Sequence, residues 1–346
     1  MYLIRTDFPG AADWPLPPGL EGIPMQTHAW TLARAGLVAD SALHLMAVRN
    51  RQGIQALAPL VRVGGCWREP PAMFEPSDFT WRTPEGLQAL ADALAADGLP
   101  LHLERLPADS PTLQALRRAY RRRGLVLVRP AMPTPVIELE GRDDDFERWG
   151  NAGRRSDFRR AERRAAGYGT VSYEILAPAP ASDLGRLIDD VMAVETRSWK
   201  YRAGTALTAD RAQGAFFVRF MQAAKHEGSL RVAFLRIDGL PVAMQIASEW
   251  KERFWLFKMS YDADFAPCSP GQLLLRHTLR HAAAAGLRSY EFMGIMDDRT
   301  RQWTHQTRRY VQVRAIPYST AALAALARQG ARGAFQRLRR VAGRRG

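Results

Sequence analysis

Apolar and polar positions along the chain sort it into short strands and amphipathic helices. Between 182 and 199, Leu184, Leu187, Ile188, Val191 and Val194, with Ser198, recur at helical spacing and predict a helix. Phe216, Phe220 and Ala223 mark one face of a second helix over 209–227. Apolar runs bounded by turn residues predict hairpins: Leu43–Arg49 with Ile54–Val63 around Asn50-Arg51-Gln52-Gly53, and Leu230–Ile237 with Pro241–Trp250 around Asp238-Gly239. Further strands are expected at Leu99–Arg105, Leu125–Arg129, Val136–Leu139, Val171–Leu176, Arg253–Asp262, Ser289–Met293 and Arg309–Ile316. Helices at Thr27–Ala35, Pro84–Ala96 and Ser110–Arg123 fall among the earlier strands, and an irregular stretch at 64–84 carries Trp67, Pro70-Pro71 and Asp78. Strands interleaved with helices in both halves make this an α/β chain with mixed sheets.

The joint after Arg253–Asp262 stands out. Asp264-Phe265-Ala266-Pro267-Cys268-Ser269-Pro270-Gly271-Gln272 leads from that strand into an Ala-, Leu- and Arg-rich helix closed by Gly286. Ser269 suits an N-cap, Pro270 the first helical position, and Gly271 lets another group approach the backbone closely. A helix start of this kind offers free N–H groups and a positive dipole end to a phosphate or carboxylate, and Ser269, Pro270, Gly271 and Gln272 are its candidate cofactor-binding residues.

Charge narrows the class of partner. The 346 residues carry a net charge of +14, which points to a polyanionic partner: nucleic acid, a phosphate-bearing substrate or an anionic membrane surface. In the helix expected within 141–169, Phe158, Ala161 and Ala165 fall on one face. Arg155, Arg159 and Arg163 form a second, cationic stripe suited to phosphate. A basic tail over 320–346 predicts an amphipathic helix that touches a membrane surface or polyanion. Two cysteines exclude a disulfide framework and a cysteine zinc site, and His277 with His281 lacks the Glu of a zinc-protease helix, so no metal is expected. No apolar run is long enough to span a membrane and the first residues lack a signal-peptide layout, so a cytoplasmic chain is expected, with peripheral contact at the inner membrane face through the tail.

The strand order of 170–316 resembles the GNAT acyltransferase fold. Ser269-Pro270-Gly271-Gln272-Leu273-Leu274-Leu275 resembles the FemAB-related branch of that superfamily and, more closely, the CelD/BioF2-like acetyltransferases of cellulose and exopolysaccharide clusters. Arg154 to Arg164, Tyr261-Asp262, Tyr290 to Gly294, Gln26 to Trp30 and Leu57 to Leu60 are similar to the same branch. The resemblance implies two GNAT-like lobes in tandem: an N-terminal lobe over 1–140, a basic connecting helix at 141–169, an acyltransferase lobe at 170–319 and the tail. It also implies an acyl-CoA donor, acetyl-CoA first, cradled at the Ser269-Pro270-Gly271 helix start. The sequence departs from the branch in a donor loop poor in Gly and basic residues, as in FemAB relatives that use aminoacyl-tRNA. It departs again in having Arg301 where a lysine is usual.

Acyl transfer needs a base, a holder for the thioester oxygen and a clamp on donor phosphates. Alternation puts Leu256, Lys258, Ser260 and Asp262 on one face of their strand, and charge on a core strand is costly unless paired or lining a cleft. Glu291 interrupts an apolar strand in the same way. Glu291 or Asp262 is therefore the expected base, Lys258 the residue holding acceptor or donor charge, and Arg155, Arg159, Arg163 and Arg301 the phosphate-binding set. Asp78 is an acceptor-side candidate from the first half. Three readings follow: an N- or O-acyltransferase using acyl-CoA on a sugar, sugar nucleotide or cell-envelope or exopolysaccharide precursor; a FemAB-type transferase using aminoacyl-tRNA; and a non-catalytic basic adaptor.

Overall fold

A computed structural model describes residues 2–38, 43–71, 75–139, 152–202, 204 and 206–328. The chain forms two compact units, one from 1–133 with 309–346 and one from 134–308.

The first unit opens with β1 (Tyr2–Thr6), helix α1 (His28–Ala35) and the antiparallel hairpin β2 (Leu43–Asn50) and β3 (Gly53–Val63). Short β4 (Cys66–Arg68) follows, β5 (Thr80–Trp81) pairs with β3, and helices α2 (Pro84–Asp97) and α3 (Pro111–Tyr120) flank β6 (Leu101–Pro107). Thr27, Thr83 and Ser110 start the three helices, each hydroxyl accepting a first-turn N–H. The sheet runs β1-β2-β3-β4-β6, with β4 and β6 parallel. Leu87, Leu90 and Leu94 of α2 and Leu113, Leu116 and Tyr120 of α3 pack on Val48, Ala58, Leu60, Leu101 and Leu103. Asp78, the acceptor-side candidate, is buried under α3, where it accepts from Ser110 Oγ at 2.6 Å, Thr112 Oγ1 at 2.5 Å and Phe79 N–H at 2.7 Å. Three donors on one carboxylate make it a fastening for a helix start. β7 (Gly124–Glu138) closes the first stretch as one strand. Its three prolines suggest an interruption to the eye, but proline's fixed φ fits extended backbone and each keeps its carbonyl.

The second unit begins with α4 (Ala152–Ala166), β8 (Val171–Leu176), α5 (Gly185–Arg197), the four-residue α6 (Trp199–Arg202) and α7 (Arg211–Ala224). It continues through β9 (Leu230–Ile237), β10 (Leu240–Trp250), β11 (Arg253–Tyr261), α8 (Pro270–Ala284), β12 (Ser289–Phe292) and α9 (Asp298–Arg301). The sheet order is β8-β9-β10-β11-β12, with the end of β7 on β12; every pair is antiparallel except β11–β12. One face is covered by α8 and α4, through Leu273, Leu274, Leu275 and Leu279 of α8 and Ala161 and Ala165 of α4. Helix α4 thus packs into this unit by the apolar face its spacing predicts, rather than standing as a connector. Helices α5 and α7 approach β10 and β11 otherwise: Gln213 of α7 and Glu195 of α5 reach Lys258, and Phe220 of α7 meets Phe257 edge to face.

The last strand, β13 (Thr307–Pro317), which the sequence assigns to the second half, pairs antiparallel with β6 and so completes the first unit's sheet. Its inward residues Val313 and Ala315 belong to the core under α2 and α3, a fit that local pattern cannot reveal. Residues 320–328 of the tail are helical, and the remainder of the basic tail lies outside the described residues. Among the described residues no helix is long and apolar enough to cross a membrane.

Candidate functional site

Strand β11 sets the geometry of the second unit. It pairs with β12 for four residues, Arg253 to Leu256, and the last bond on that side runs from Met293 N–H to the Leu256 carbonyl at 3.2 Å. β11 then continues to Tyr261 without β12 beside it. Two parallel strands that part leave an open sheet edge, where backbone polar groups must find other partners.

At the same point β11 bulges. Ala247 of β10 pairs with Leu256 and Ile246 with Lys258, so Phe257 is the extra residue. The bulge overturns the expected shared face of Leu256 and Lys258. Leu256 joins the core with Phe254, Tyr290 and Leu275, whereas Lys258 meets α5 and α7. Its Nζ donates to Gln213 Oε1 at 2.5 Å and lies 3.8 Å from Glu195 Oε2.

Glu195 is fully buried. Its Oε2 accepts the Leu207 N–H at 2.7 Å, while among the described residues its Oε1 has no hydrogen-bond partner, nor does the buried Ser260 Oγ. Lys200, from α6, donates through Nζ to the Met259 carbonyl, on the stretch of β11 that β12 has left. Burial pushes the Lys200 ammonium down to about 8; Glu195 raises it in part, and the cations Lys258 and Arg299 lower it further.

The helix start lies against the same residue. Gly271 is buried, and a Cβ there would sit 3.2 Å from the Tyr261 ring and 3.9 Å from Met259 Sδ, so a larger side chain would press on the Tyr261 ring where α8 meets β11. Pro270 occupies the first helical position as expected. Ser269 stands at the N-cap, but in the left-handed region (φ 49°, ψ 51°) and with no side-chain cap bond. Gln272 and Leu273 direct their N–H groups at the Ser269 carbonyl and Pro270 has none, so the seat rests on the Gly271 N–H rather than on a full turn of donors. Gln272 Oε1 accepts the Trp303 indole N–H at 2.8 Å, and the Trp303 ring lies 5.6 Å from that of Phe158 on α4. Arg164 of α4 donates to the Pro267 carbonyl at 2.9 Å, tying the basic helix to the turn before α8.

The remaining expected residues hold partners of their own. Glu291 is fully buried: Ser289 Oγ donates to its Oε1 at 2.7 Å, Arg308 approaches the same oxygen with two nitrogens at 2.8 and 3.1 Å, and Arg308 also pairs with Glu138. Asp262 is buried on Arg197 and accepts the Asp264 N–H, starting the 3-10 turn that leads to α8; Arg197 in turn donates to the Pro241 carbonyl at 2.9 Å. Each of these carboxylates is thus held by an arginine and by a second donor. Arg155 is half-buried, Arg159 and Arg163 are exposed, and exposed Arg301 pairs with Asp298 in its own turn at 2.7 Å. His281 pairs with Glu249 at 2.6 Å and His277 stacks on Tyr173. Among the described residues no group of His, Cys, Asp and Glu is gathered to hold a metal ion.

Glu195, Lys200 and Gln213 were not legible as site residues from motif or spacing. One signal was available: the chain has 45 arginines and only four lysines, at 200, 225, 251 and 258, and two of the four meet at Glu195.

Residues 152–299 match the family described as acetyltransferase (GNAT) domain. No curated protein matches the sequence significantly. Among solved structures, the chain is similar to the C-terminal domain of a lysylphosphatidylglycerol synthetase from Agrobacterium fabrum (TM-score 0.55, 16% identity, covering 85% of this chain and 90% of that one). It is similar to L-PGS from Bacillus licheniformis (0.55, 12%, 86% and 91%) and to FemX (0.57, 12%, 90% and 97%). Most of the second unit therefore matches the acetyltransferase (GNAT) domain family, and the whole chain has a fold similar to that of FemX.

Proposed function

We propose that the protein is an acyl-CoA-dependent N- or O-acyltransferase that modifies a sugar, sugar nucleotide or cell-envelope or exopolysaccharide precursor. The observation that carries this reading is Met259. Its thioether faces Gly271 at the start of α8, and its carbonyl takes Lys200, so a phosphate-bearing donor at the helix start and a proton-handling cluster sit on two sides of one residue. A donor at the Gly271 N–H would lay its acyl group along the edge of β11 that β12 has left, next to Lys200, Lys258 and Glu195. Ser269 and Gln272 border that seat, and the Arg155, Arg159 and Arg163 stripe would draw in the donor's phosphates. On the acceptor side Trp199 and Tyr201, 44% and 49% exposed, flank Lys200 in α6 and offer flat apolar faces to a sugar ring.

Calorimetric titration with acetyl-CoA and with CoA tests the donor. Micromolar binding is expected, lost in Gly271→Trp while circular dichroism shows the variant folded. No binding to the wild type at millimolar ligand overturns the acyl-CoA reading. The net charge of +14 favours a second donor, aminoacyl-tRNA, whose binding would fall steeply and linearly on a log–log salt plot, whereas CoA binding would fall little.

A further inference from the structure

The proton of the acceptor needs a destination, and the residues expected to receive it, Glu291 and Asp262, are occupied by Arg308 and Arg197. We infer that Lys200, anchored on the Met259 carbonyl at the open edge of β11 and backed by Glu195, is the group that takes this proton; the inference rests on the acyl-transfer reading above.

Three observations place it there. Lys200 follows α5 after the single residues Ser198 and Trp199, and the Ser198 hydroxyl, bonded to the Glu195 carbonyl at 2.7 Å, ends that helix and swings α6 toward the sheet. The amine therefore reaches the carbonyl of Met259, the residue whose thioether faces Gly271. Second, Glu195 holds one carboxylate oxygen on the Leu207 N–H and, among the described residues, keeps the other unpartnered in a fully buried position. A buried carboxylate oxygen of that kind is costly unless something polar arrives to meet it, and an acceptor amine or hydroxyl is such a group. Third, composition argues for an amine with a titratable proton. In a chain with 45 arginines to four lysines, guanidinium serves nearly everywhere that only positive charge is needed. Guanidinium does not release its proton near neutrality, and a desolvated lysine does.

The step balances without a further reactant. The acceptor nitrogen or oxygen attacks the thioester carbon, its proton passes to neutral Lys200 Nζ, the carbon–sulfur bond breaks, and the departing thiolate recovers a proton from the Lys200 ammonium. The charged groups facing Lys200 are Glu195 from α5, Lys258 from β11 and Arg299 from α9. Their opposing signs give the test its direction.

With four lysines, protein labelled with carbon-13 at lysine Cε gives four resonances, assignable by single Lys→Arg variants and titrated from pH 6 to 11. Lys200 is expected to titrate near 8, well below the ~10.4 of an ordinary lysine. Glu195→Gln should lower that midpoint, because the carboxylate favours the ammonium; Lys258→Met should raise it. Acetyl-CoA should shift the Lys200 resonance. CoA release with glucosamine as probe acceptor should rise with pH through the same midpoint, and Lys200→Arg, which keeps the charge and loses the titration, should abolish that limb and cost 10²-fold or more. A Lys200 midpoint at an ordinary value, a resonance indifferent to bound acetyl-CoA, or full turnover by Lys200→Arg each overturns the inference. Absent calorimetric binding of acetyl-CoA would instead sink the donor reading, and if glucosamine is not turned over the midpoints in the three proteins decide alone.

Discussion

At the scale of single residues, burial separates charges that hold the fold from charges left with work to do. Glu291 and Glu195 are both fully buried acids of the second unit. Glu291 meets Arg308 with both oxygens and Ser289 with one, and removing its charge leaves the Arg308 guanidinium with Glu138 alone. Glu291→Ala should cost about 3–5 kcal/mol of stability, seen as a large fall in the urea midpoint. Unaltered stability would mean that Glu291 is not part of the frame. The first unit supplies a pH-dependent case. Burial pushes Glu69 up to about 7, against the pull of Arg34, while Glu104 N–H bonds to its Oε1. The folded state holds that proton more tightly than the unfolded one, so stability falls as pH rises from about 4.5 toward 7. Glu69→Gln removes the titration and keeps the bond from Glu104, so its stability relative to wild type should rise across that window. A difference independent of pH would refute the account.

Elements show how much could be seen in advance. The strand–turn–helix joint at Pro270-Gly271 was plain in the sequence, because a glycine after a proline at a helix start answers to local backbone rules. So was the inward face of α4, since Ala161 and Ala165 follow helical spacing and are buried. The bulge at Phe257 was hidden: alternation assumes one residue per step, and a single extra residue parts Leu256 from Lys258. Glu195 and Lys200 were hidden for a different reason. They lie near the end of α5 and in the short α6, and what matters about them, the meeting with Lys258 and Met259, is tertiary. The exposed arginines of α4 belong to this scale too. Arg159→Glu with Arg163→Glu should leave stability within ~0.5 kcal/mol and weaken donor binding, more at low salt than at high salt. Equal binding by the double variant at low salt would remove the stripe from the donor's path.

For the whole molecule, the division into units is not the division read along the chain. Local pattern gives a first half, a basic helix, a second half and a tail. Packing against α8 places the basic helix within the second unit, and pairing with β6 returns β13 to the first, where Arg314 donates to His102, 212 residues earlier. The arrangement of the second unit is self-contained in sequence, from 134 to 308, and so is its Lys200 cluster. That interleaving sets an order of events during synthesis. When β6 leaves the ribosome its partner strand does not yet exist, and the sheet edge meant for β13 waits while the whole second unit is made. The second unit is thus free to acquire its structure first, and the unit that holds β1 to β6 is the last to be finished.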